Sequence, residues 1–286
     1  MMPSSYTVKF ACPDKPGIVS RVTAALVRIG ANILDAQQFN DTLNNQFFCR
    51  IEFEVPSGVN GTQVSEKLEE SLTPLSSRWS MTSQSDRMRV LLMSSKSDHC
   101  LVDLLYRWRN GDLPMDVVGV VSNHPKDAYA HIDFSDIPFH YLPVTAQTKG
   151  EQEAKLIGII EEHGVQLVVL ARYMQILSDD LTRYLDGRCI NIHHSFLPGF
   201  KGAKPYHQAH ARGVKLIGAT AHYVTADLDE GPIIVQDVEP VSHRDTPERL
   251  IRKGRDIEQR VLARAVSHHL HGRVLVNGST TVVFPE

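Results

Sequence analysis

Four short apolar runs, separated by stretches with helical spacing, constrain the fold of this chain more than any other feature. The runs lie at residues 90–93, 117–121, 139–144 and 167–170, and helical spacing occurs between them at residues 101–108 and 151–163. Strands that are buried on both faces are apolar along their length, and parallel strands need helical crossovers. The pattern therefore predicts a mostly parallel sheet flanked by helices. In such a sheet, ligands bind beyond the carboxyl ends of the strands.

The first 84 residues have a different order of secondary-structure elements from the rest of the chain. Strand-prone and helical segments follow each other in the order β-α-β-β-α-β, which is the ferredoxin-like plan. In the segment at residues 47–55, the side chains alternate with a period of two, which predicts a strand. The polar residues 83–87 are typical of a linker. We therefore predict two domains, at residues 1–84 and 85–286.

Composition argues against several classes of partner. The formal net charge is −3 over 286 residues, so we expect neither nucleic acid nor an anionic membrane as a main partner. No apolar run approaches the length that spans a bilayer, and the first residues lack the pattern of a signal peptide. The four cysteines form no C-x-x-C pair, which is typical of reduced thiols in an intracellular protein. We expect a cytoplasmic location.

A polar cluster at the end of a strand-prone segment contains the side chains that we expect to be catalytic. Asn191 and His193 are two residues apart, so an extended strand places both side chains on one side. An amide can donate a hydrogen bond to a developing oxyanion, and an imidazole can move a proton near neutral pH. Further along, Asp229 precedes a Gly-Pro pair, where its carboxylate could orient His193 or a water. Without a Ser or Cys at a nucleophile elbow, the set indicates direct attack on a carbonyl.

Other interpretations of these residues compete with this hypothesis. Asn191 and His193 could instead satisfy only local backbone groups at a strand end, and the 14 histidines invite a metal site. The closest histidine pairs are direct neighbours, and no H-x-x-x-H or H-E-x-x-H motif occurs, so we expect no metal. The charges between residues 244 and 264 alternate in sign, which predicts a solvated helix face.

In the spacing of these polar residues, the chain resembles the folate-dependent formyltransferase family. This family includes glycinamide ribonucleotide formyltransferase and methionyl-tRNA formyltransferase. The resemblance covers residues 87–272 and rests on two motifs in the correct order, namely Asn191-x-His193 followed by Ser195-x-Leu197-Pro198, and H-x-V-x-x-x-x-D-x-G-P-I-I from His222 to Ile234. It implies a Rossmann-like formyltransferase-type sheet. It also implies that Asn191 donates to the formyl oxygen, that His193 is the general acid–base residue, and that Asp229 holds His193 and a water.

The same resemblance implies a folate pocket bordered by two loops, at residues 171–178 and 225–227. The backbone of these loops would meet the pteridine ring, and Ile176 and Leu177 would add apolar contact. His194 follows His193 and either lines the pocket or packs beside it. The predicted substrate-binding residues are Met174, Gln175, Ile176, Leu177, His194, Thr225, Ala226 and Asp227.

The turn at residues 94–98 departs from the pattern of glycinamide ribonucleotide formyltransferases. In those enzymes a glycine-rich turn grips the phosphate of the amine acceptor, whereas this turn contains no glycine and ends in Asp98. The departure implies that the site of the amine acceptor is lost. His194 directly after His193, together with the N-terminal domain, then resembles the members of the family in which water replaces the amine. The expected reaction is hydrolysis of 10-formyltetrahydrofolate to formate and tetrahydrofolate, without a cofactor, which supplies formate to one-carbon and purine metabolism. The alternatives are formyl transfer to an amine, such as glycinamide ribonucleotide, and a non-catalytic sensor of folate or amino acids.

The N-terminal segment resembles the ACT domain, a small regulatory module that commonly binds amino acids. The resemblance rests on a D-x-P-G-x turn between the first strand and the first helix. It implies a regulatory ligand, such as a small amino acid, at Asp14, Lys15, Pro16 and Gly17; the alternative is a purely structural turn. Because an ACT domain leaves a sheet edge or face that pairs with another copy, we also expect a homo-oligomer.

Overall fold

A computed structural model describes residues 4–197 and 205–286 of the chain. Its backbone divides into two compact units. The N-terminal unit comprises Met1–Arg87, His271–Asn277 and Thr281–Glu286, and the second unit comprises Met88–Leu270 and Gly278–Thr280. The C-terminal residues therefore join the N-terminal unit, although the sequence pattern assigned them to the second domain. The functional boundary between residues 84 and 85 stays a prediction.

The N-terminal unit packs two helices against a four-stranded antiparallel sheet. Its elements are β1 (Ser4–Pro13), α1 (Ile18–Arg28), β2 (Asn32–Asp41), β3 (Gln46–Val55), α2 (Gly61–Leu72) and β4 (Arg78–Ser83), with a short 3₁₀ helix at Thr73–Leu75. The strand order is β2-β3-β1-β4. This arrangement confirms the predicted ferredoxin-like plan.

Local sequence explains where the two helices begin. Gly17, directly before α1, has a φ of 88°, a left-handed conformation that glycine adopts without steric cost. α2 begins with a capping box, in which the side chains of Asn60 and Gln63 each accept a hydrogen bond from the other residue's backbone N–H. The buried residues of α1 recur at helical spacing, so the helix presents one apolar stripe: Ile18, Val22, Ala25 and Leu26.

β3 confirms the strand predicted at residues 47–55, and it is buried on both faces for part of its length. Phe48 is fully buried and Arg50 is 2% exposed. Phe48 packs in a small apolar cluster with Leu275 and Phe284, and Arg50 Nε donates a hydrogen bond to the carbonyl of His271 at 3.2 Å. The C-terminal residues cover this face, and the pattern of β3 alone contains no sign of them.

The second unit is built on a seven-stranded sheet. Its elements are β5 (Met88–Ser94), α3 (His99–Arg109), β6 (Met115–Ser122), β7 (Phe139–Tyr141), α4 (Lys149–Glu162), β8 (Leu167–Leu170), α5 (Asp179–Tyr184), β9 (Cys189–His193), α6 (Pro205–Arg212), β10 (Leu216–Tyr223), β11 (Ile233–Pro240) and α7 (Pro247–Leu270), with a 3₁₀ helix at Lys126–Tyr129. The chain ends in a hairpin of β12 (Val274–Asn277) and β13 (Thr280–Val283).

The sheet of the second unit is mostly parallel, as the apolar runs predict. The strand order is β11-β10-β9-β8-β5-β6-β7. The five strands β9, β8, β5, β6 and β7 are parallel to one another. β10 pairs antiparallel with β9 on one side and with β11 on the other. Because parallel strands end at the same edge, the loops that follow β8 and β9 meet there. No helix in the described ranges is long and apolar enough to cross a bilayer.

Candidate active site

The end of β9 places Asn191 and His193 in the wall of one cavity of about 210 Å³. Their two-residue spacing on a strand predicts this shared side. All of the residues predicted for catalysis and substrate binding line the same cavity: Asn191, His193, Asp229, Met174, Gln175, Ile176, Leu177, His194, Thr225, Ala226 and Asp227. The structure thus brings the predicted set together, while the role of each residue stays a prediction. Pro198 of the first motif lies outside the described residues.

Asp229 reaches the cavity from a strained loop between β10 and β11. Its φ is 59°, a left-handed conformation that costs a non-glycine residue about 1–3 kcal/mol. A Cβ at Gly231 would lie 1.7 Å from the backbone oxygen of Tyr223, so only glycine fits there. The Tyr223 N–H also donates to the carbonyl of Pro232 at 2.9 Å. The loop is therefore closed onto the end of β10, which fixes Asp229 in position beside β9.

Asp229 determines which nitrogen of His193 carries a proton. His193 Nδ1 lies 3.1 Å from Asp229 Oδ1. The hydrogen bond from His193 lowers the pKa of the Asp229 carboxyl below its ordinary value, so the carboxylate is charged at neutral pH and Nδ1 is the donor. Neutral His193 then has its lone pair on Nε2. This atom is buried and has no hydrogen-bond partner among the described residues, so it is available as a base.

A second histidine, His222 on β10, sets the orientation of the Asn191 amide. The register of β9 and β10 places the two residues opposite each other. Burial lowers the pKa of His222, so the ring is neutral, and its Nδ1 donates to the carbonyl of Tyr223 at 2.8 Å. Nε2 is then an acceptor, 3.3 Å from Asn191 Nδ2. One amide hydrogen of Asn191 is held by His222, and the other is left for an oxyanion.

The role of His222 was not predicted from the sequence. The residue opens the second motif, but the motif gives it no task, and its pairing with Asn191 depends on the antiparallel register of β9 and β10. One weak signal in the sequence points to His222: it is a histidine among small residues in a strand-like segment.

Arg172 connects the cavity to a buried carboxylate. Arg172 Nη1 lies 2.7 Å from His194 Nδ1, and Arg172 Nε lies 3.3 Å from Glu258 Oε2. Glu258 is 1% exposed, accepts a hydrogen bond from the Tyr206 hydroxyl at 2.6 Å, and lies 2.8 Å from His99 Nε2. The predicted solvated face at residues 244–264 is therefore wrong at Glu258. These partners compensate a carboxylate that could not otherwise be buried.

The charge state of Glu258 follows from its neighbours. Burial alone would raise the pKa of its carboxyl, but the hydrogen bond from His99 and the positive charge of Arg172 outweigh burial and lower the pKa. A carboxylate and a guanidinium therefore face each other beside the cavity. The sequence motifs give neither residue a role in the site.

The donor atoms of His99, Cys100 and Glu258 lie within 4.8 Å of one another, which is close enough to hold a cation. Glu258 is, however, already paired with Arg172, whose charge would repel a metal ion. Burial raises the pKa of the Cys100 thiol well above its ordinary value, so the thiolate that a metal would need is disfavoured. The residues fit a hydrogen-bond network better than a metal site.

The predicted regulatory residues lie at the junction of β1 and α1 in the N-terminal unit. Asp14 accepts a hydrogen bond from Asn40 Nδ2 at 2.8 Å. The next three residues border an open groove between α1 and α2. Positive side chains outnumber negative ones in this groove, whose lining includes Lys15, Pro16, Gly17, Arg21, Arg28, Lys67 and Glu70. Lys67 is paired with Glu70 at 2.7 Å.

Two family profiles match the chain. The family described as Formyl transferase matches residues 88–266, and the ACT domain matches residues 8–85. The first match contains the whole cavity described above, and the second contains the β-α-β-β-α-β order of the N-terminal unit.

Three relatives match between 71% and 99% of the chain. The formyltetrahydrofolate deformylase of Bacillus subtilis is 47% identical over 279 residues, which cover 96% of this chain and 92% of the relative. The crystal structure of a formyltetrahydrofolate deformylase from Burkholderia mallei is 48% identical with a TM-score of 0.93, covering 99% of this chain and 100% of that chain. Glycinamide ribonucleotide transformylase 1 from Symbiobacterium toebii is 30% identical with a TM-score of 0.64, covering 71% of this chain and 97% of that chain. The chain therefore belongs to the formyl transferase family and, within it, to the formyltetrahydrofolate deformylases.

Proposed function

We propose that this chain hydrolyses 10-formyltetrahydrofolate to formate and tetrahydrofolate. The observation that carries the proposal is that Asn191, held by His222, and His193, held by Asp229, line one cavity. No serine or cysteine is among the described residues that line this cavity, which supports water rather than a side chain as the nucleophile. The formate would supply one-carbon and purine metabolism.

In the proposed mechanism, His193 Nε2 takes a proton from water while the water oxygen attacks the formyl carbon. The Asn191 amide donates to the formyl oxygen as its negative charge develops. Asp229 stabilises the imidazolium and keeps Nδ1 protonated. His193 then gives its proton to N10 of the folate as the C–N10 bond breaks. The product leaves as formic acid, which carries the oxygen and the second hydrogen of the water and loses that proton to solvent to become formate. The side chains return to their starting state.

Replacing His222 with leucine should lower kcat about 5- to 10-fold, because Asn191 loses the acceptor that orients its amide, an effect of about 1 kcal/mol. KM should change little, since His222 contributes to the oxyanion contact rather than to folate binding. Steady-state formate release measures both constants. His222→Gln is the matched variant, because its side-chain oxygen can replace the Nε2 acceptor and restore part of kcat. Equal losses in the two variants would contradict the positioning role.

We propose that the folate ring binds between the loop after β8 and the loop after β10. Met174 and Ile176 are 55% and 62% exposed although they are apolar, and both border the cavity. A ring placed against them would remove this surface from water. Gln175 and Leu177 lie in the same loop, which offers backbone groups to the pteridine. The opposite loop is stabilised by a 3.1 Å hydrogen bond from Thr225 Oγ1 to the carbonyl of Asp227, with Ala226 between them.

The turn that would grip the phosphate of an amine acceptor is occupied by internal hydrogen bonds. Ser95 Oγ donates to Asn123 Oδ1 at 2.7 Å and accepts from the Met174 N–H at 3.0 Å. Asp98 lies 2.7 Å from His131 Nε2, and its carboxylate would repel a phosphate. These contacts support water over glycinamide ribonucleotide as the acceptor.

A formate-release assay without any amine tests the proposed function. We expect formate and tetrahydrofolate in equal amounts from 10-formyltetrahydrofolate and water alone. Strict dependence on an added amine would support formyl transfer instead. Folate binding without any turnover would support a sensor.

We propose that the reaction needs neither a cofactor nor a metal. Three side chains provide the proton transfer and the oxyanion contact, namely Asn191, His193 and Asp229. We propose small molecules, rather than nucleic acid or a membrane, as the partners of a chain with net charge −3. We also propose a cytoplasmic location, which is supported by four free, buried cysteines.

We propose that a small amino acid, such as glycine or methionine, regulates the enzyme through the N-terminal unit. The α-carboxylate would meet the basic groove beside Lys15, Pro16 and Gly17, and the α1 N-terminus adds the partial positive charge of its free N–H groups. Asp14, next to the groove, would favour the amino group. Formate release measured with and without each amino acid tests the proposal.

We propose that the N-terminal sheet pairs with a second copy through the edge strand β2. Ile33, Leu34 and Phe39 of this strand are 37%, 50% and 47% exposed, and an apolar edge with unpaired backbone groups is a template for another strand. Leu34→Lys should therefore shift the protein toward monomer, as measured by light scattering at micromolar concentration. Val27→Lys, which replaces a 71% exposed residue of α1, is the control. A wild-type monomer, or an unchanged mass for Leu34→Lys, would contradict the proposal.

A further inference from the structure

The contact between Arg172 and His194 determines which nitrogen of His194 carries the proton. Arg172 Nη1 lies 2.7 Å from His194 Nδ1, and a guanidinium can only donate, so Nδ1 must accept. Burial, the charge of Arg172 and the neighbouring His193 lower the pKa of His194 to about 4, which keeps the ring neutral near pH 7. A neutral imidazole with a bare Nδ1 carries its hydrogen on Nε2. His194 is therefore an Nε2–H donor.

His193 has the opposite tautomer. Its Nδ1 donates to Asp229, so its Nε2 is an acceptor. The rings of His193 and His194 are stacked, with centroids 4.9 Å apart and planes inclined by 18°. Both Nε2 atoms are buried, and neither has a hydrogen-bond partner within residues 4–197 and 205–286. A donor and an acceptor on adjacent rings in the wall of the same cavity match the two contacts that a bound water makes.

Arg172 is held in place by its backbone and by Glu258. Its φ is 65°, so the residue occupies a conformation that non-glycine residues rarely adopt unless their surroundings require it. The Glu258 carboxylate, 3.3 Å from Arg172 Nε, is itself fixed by the Tyr206 hydroxyl and by His99. A buried ion pair with this many partners has little freedom to rearrange. The guanidinium is therefore a rigid donor to His194.

We infer that Arg172, fixed by Glu258, is a positioning residue that makes His194 the anchor of the hydrolytic water. The inference rests on the proposed function. The water oxygen accepts a hydrogen bond from His194 Nε2–H, and one water hydrogen is donated to His193 Nε2. The remaining lone pair of the water attacks the formyl carbon. His194 keeps its proton throughout, while His193 carries the proton from water to N10 as the C–N10 bond breaks.

The anchored water also accounts for the choice between hydrolysis and transfer. An amine acceptor would have to approach the formyl carbon at the position that this water occupies. His194 Nε2–H can donate to a water oxygen, but the attacking lone pair of an amine would be consumed by the same contact. The arrangement therefore favours water even where an amine is present.

The tautomer of His194 can be measured in the unmodified protein. Multiple-bond ¹H–¹⁵N correlation spectra of ¹⁵N-histidine-labelled protein distinguish an Nε2–H ring from an Nδ1–H ring. The signals are assigned by their loss in His194→Gln and in His193→Gln. We expect Nε2–H on His194 and Nδ1–H on His193. An Nδ1–H ring at His194, or a charged ring at pH 7, would overturn the inference.

Arg172→Met tests the same inference through the products. This variant keeps a long side chain but removes the donor to His194, so kcat for formate release should fall about 100-fold, as expected for a misplaced reactant. KM should stay within about twofold, because the water and not the folate has lost its contact. With added hydroxylamine, attack of its nitrogen on the formyl carbon gives formohydroxamic acid and tetrahydrofolate. The ratio of formohydroxamic acid to formate should rise well above that of the wild type.

Two further variants complete this experiment. Arg183→Met replaces a 73% exposed arginine of α5 and should keep the wild-type kcat and product ratio. Glu258→Gln keeps an acceptor for Tyr206 but removes the charge that holds Arg172, so it should change kcat and the product ratio in the same direction as Arg172→Met. If Arg172→Met fails to fold, the kcat and product ratio of Glu258→Gln and the spectra of the wild type test the inference instead. Unchanged kcat and product ratio in the folded variants would overturn the inference, whereas a wild type that releases no formate would overturn the proposed function.

Discussion

Replacing Asp229 with asparagine should lower formate release about 10⁴-fold, by analogy with the aspartate of a catalytic triad. The asparagine amide can present its NH₂ group to His193 Nδ1, which forces the ring into the Nε2–H tautomer and removes the base. The variant also lacks the negative charge that stabilises the imidazolium. Asparagine tolerates the left-handed φ of 59° at this position, so the loop should keep its conformation.

The measurement is kcat for formate release together with folate binding by isothermal titration calorimetry. Folate affinity should stay near the wild-type value, because the carboxylate is bound to His193 rather than assigned to the pteridine. Asp180→Asn, at a 90% exposed position of α5, is the control and should be fully active. Turnover by Asp229→Asn within tenfold of the wild type would contradict the assigned role.

Replacing Asn191 with alanine should lower kcat about 10²- to 10³-fold, which is the typical cost of removing one oxyanion donor. The amide contact strengthens as charge develops on the formyl oxygen, so the loss falls mainly on kcat and KM changes little. The variant retains His193 and Asp229, and any residual activity should therefore still depend on the base.

Steady-state kinetics of Asn191→Ala, with Asn110→Ala as the control, measure this effect. Asn110 follows α3 at an exposed position and should tolerate the change. A loss expressed only in KM would show that Asn191 binds the substrate without stabilising the transition state.

The three residues proposed for catalysis could be located from the sequence because local rules bring two of them together. Asn191 and His193 share one side of β9 by the period of a strand. Asp229 was assigned through a second motif, and the structure adds the reason for its position, which is the close approach of Gly231 to Tyr223.

Arg172 and Glu258 could not be located in this way. They are far apart in the sequence and meet only because the fold brings Glu258 of α7 beside the loop after β8. Glu258 also lies in a helix of alternating charges, where a solvated face is the ordinary expectation. The burial of Glu258 depends on Arg172, His99 and Tyr206. The sequence pattern of α7 does not predict these partners.

The fold was predictable to the extent that each element carries its own periodicity. The apolar runs of β5, β6 and β8 predicted the parallel sheet. The burial of Phe48 was not predictable, because its neighbours Leu275 and Phe284 come from the end of the chain.

The N-terminal sheet can be completed only after the second unit has been synthesised. Leu275 and Phe284, which cover Phe48, follow the long segment Met88–Leu270 of the second unit, and a ribosome adds about 5–20 residues per second. Until they emerge, the nascent sheet exposes an apolar face to chaperones and to other nascent chains. A fragment that ends at residue 87 would expose the same surface.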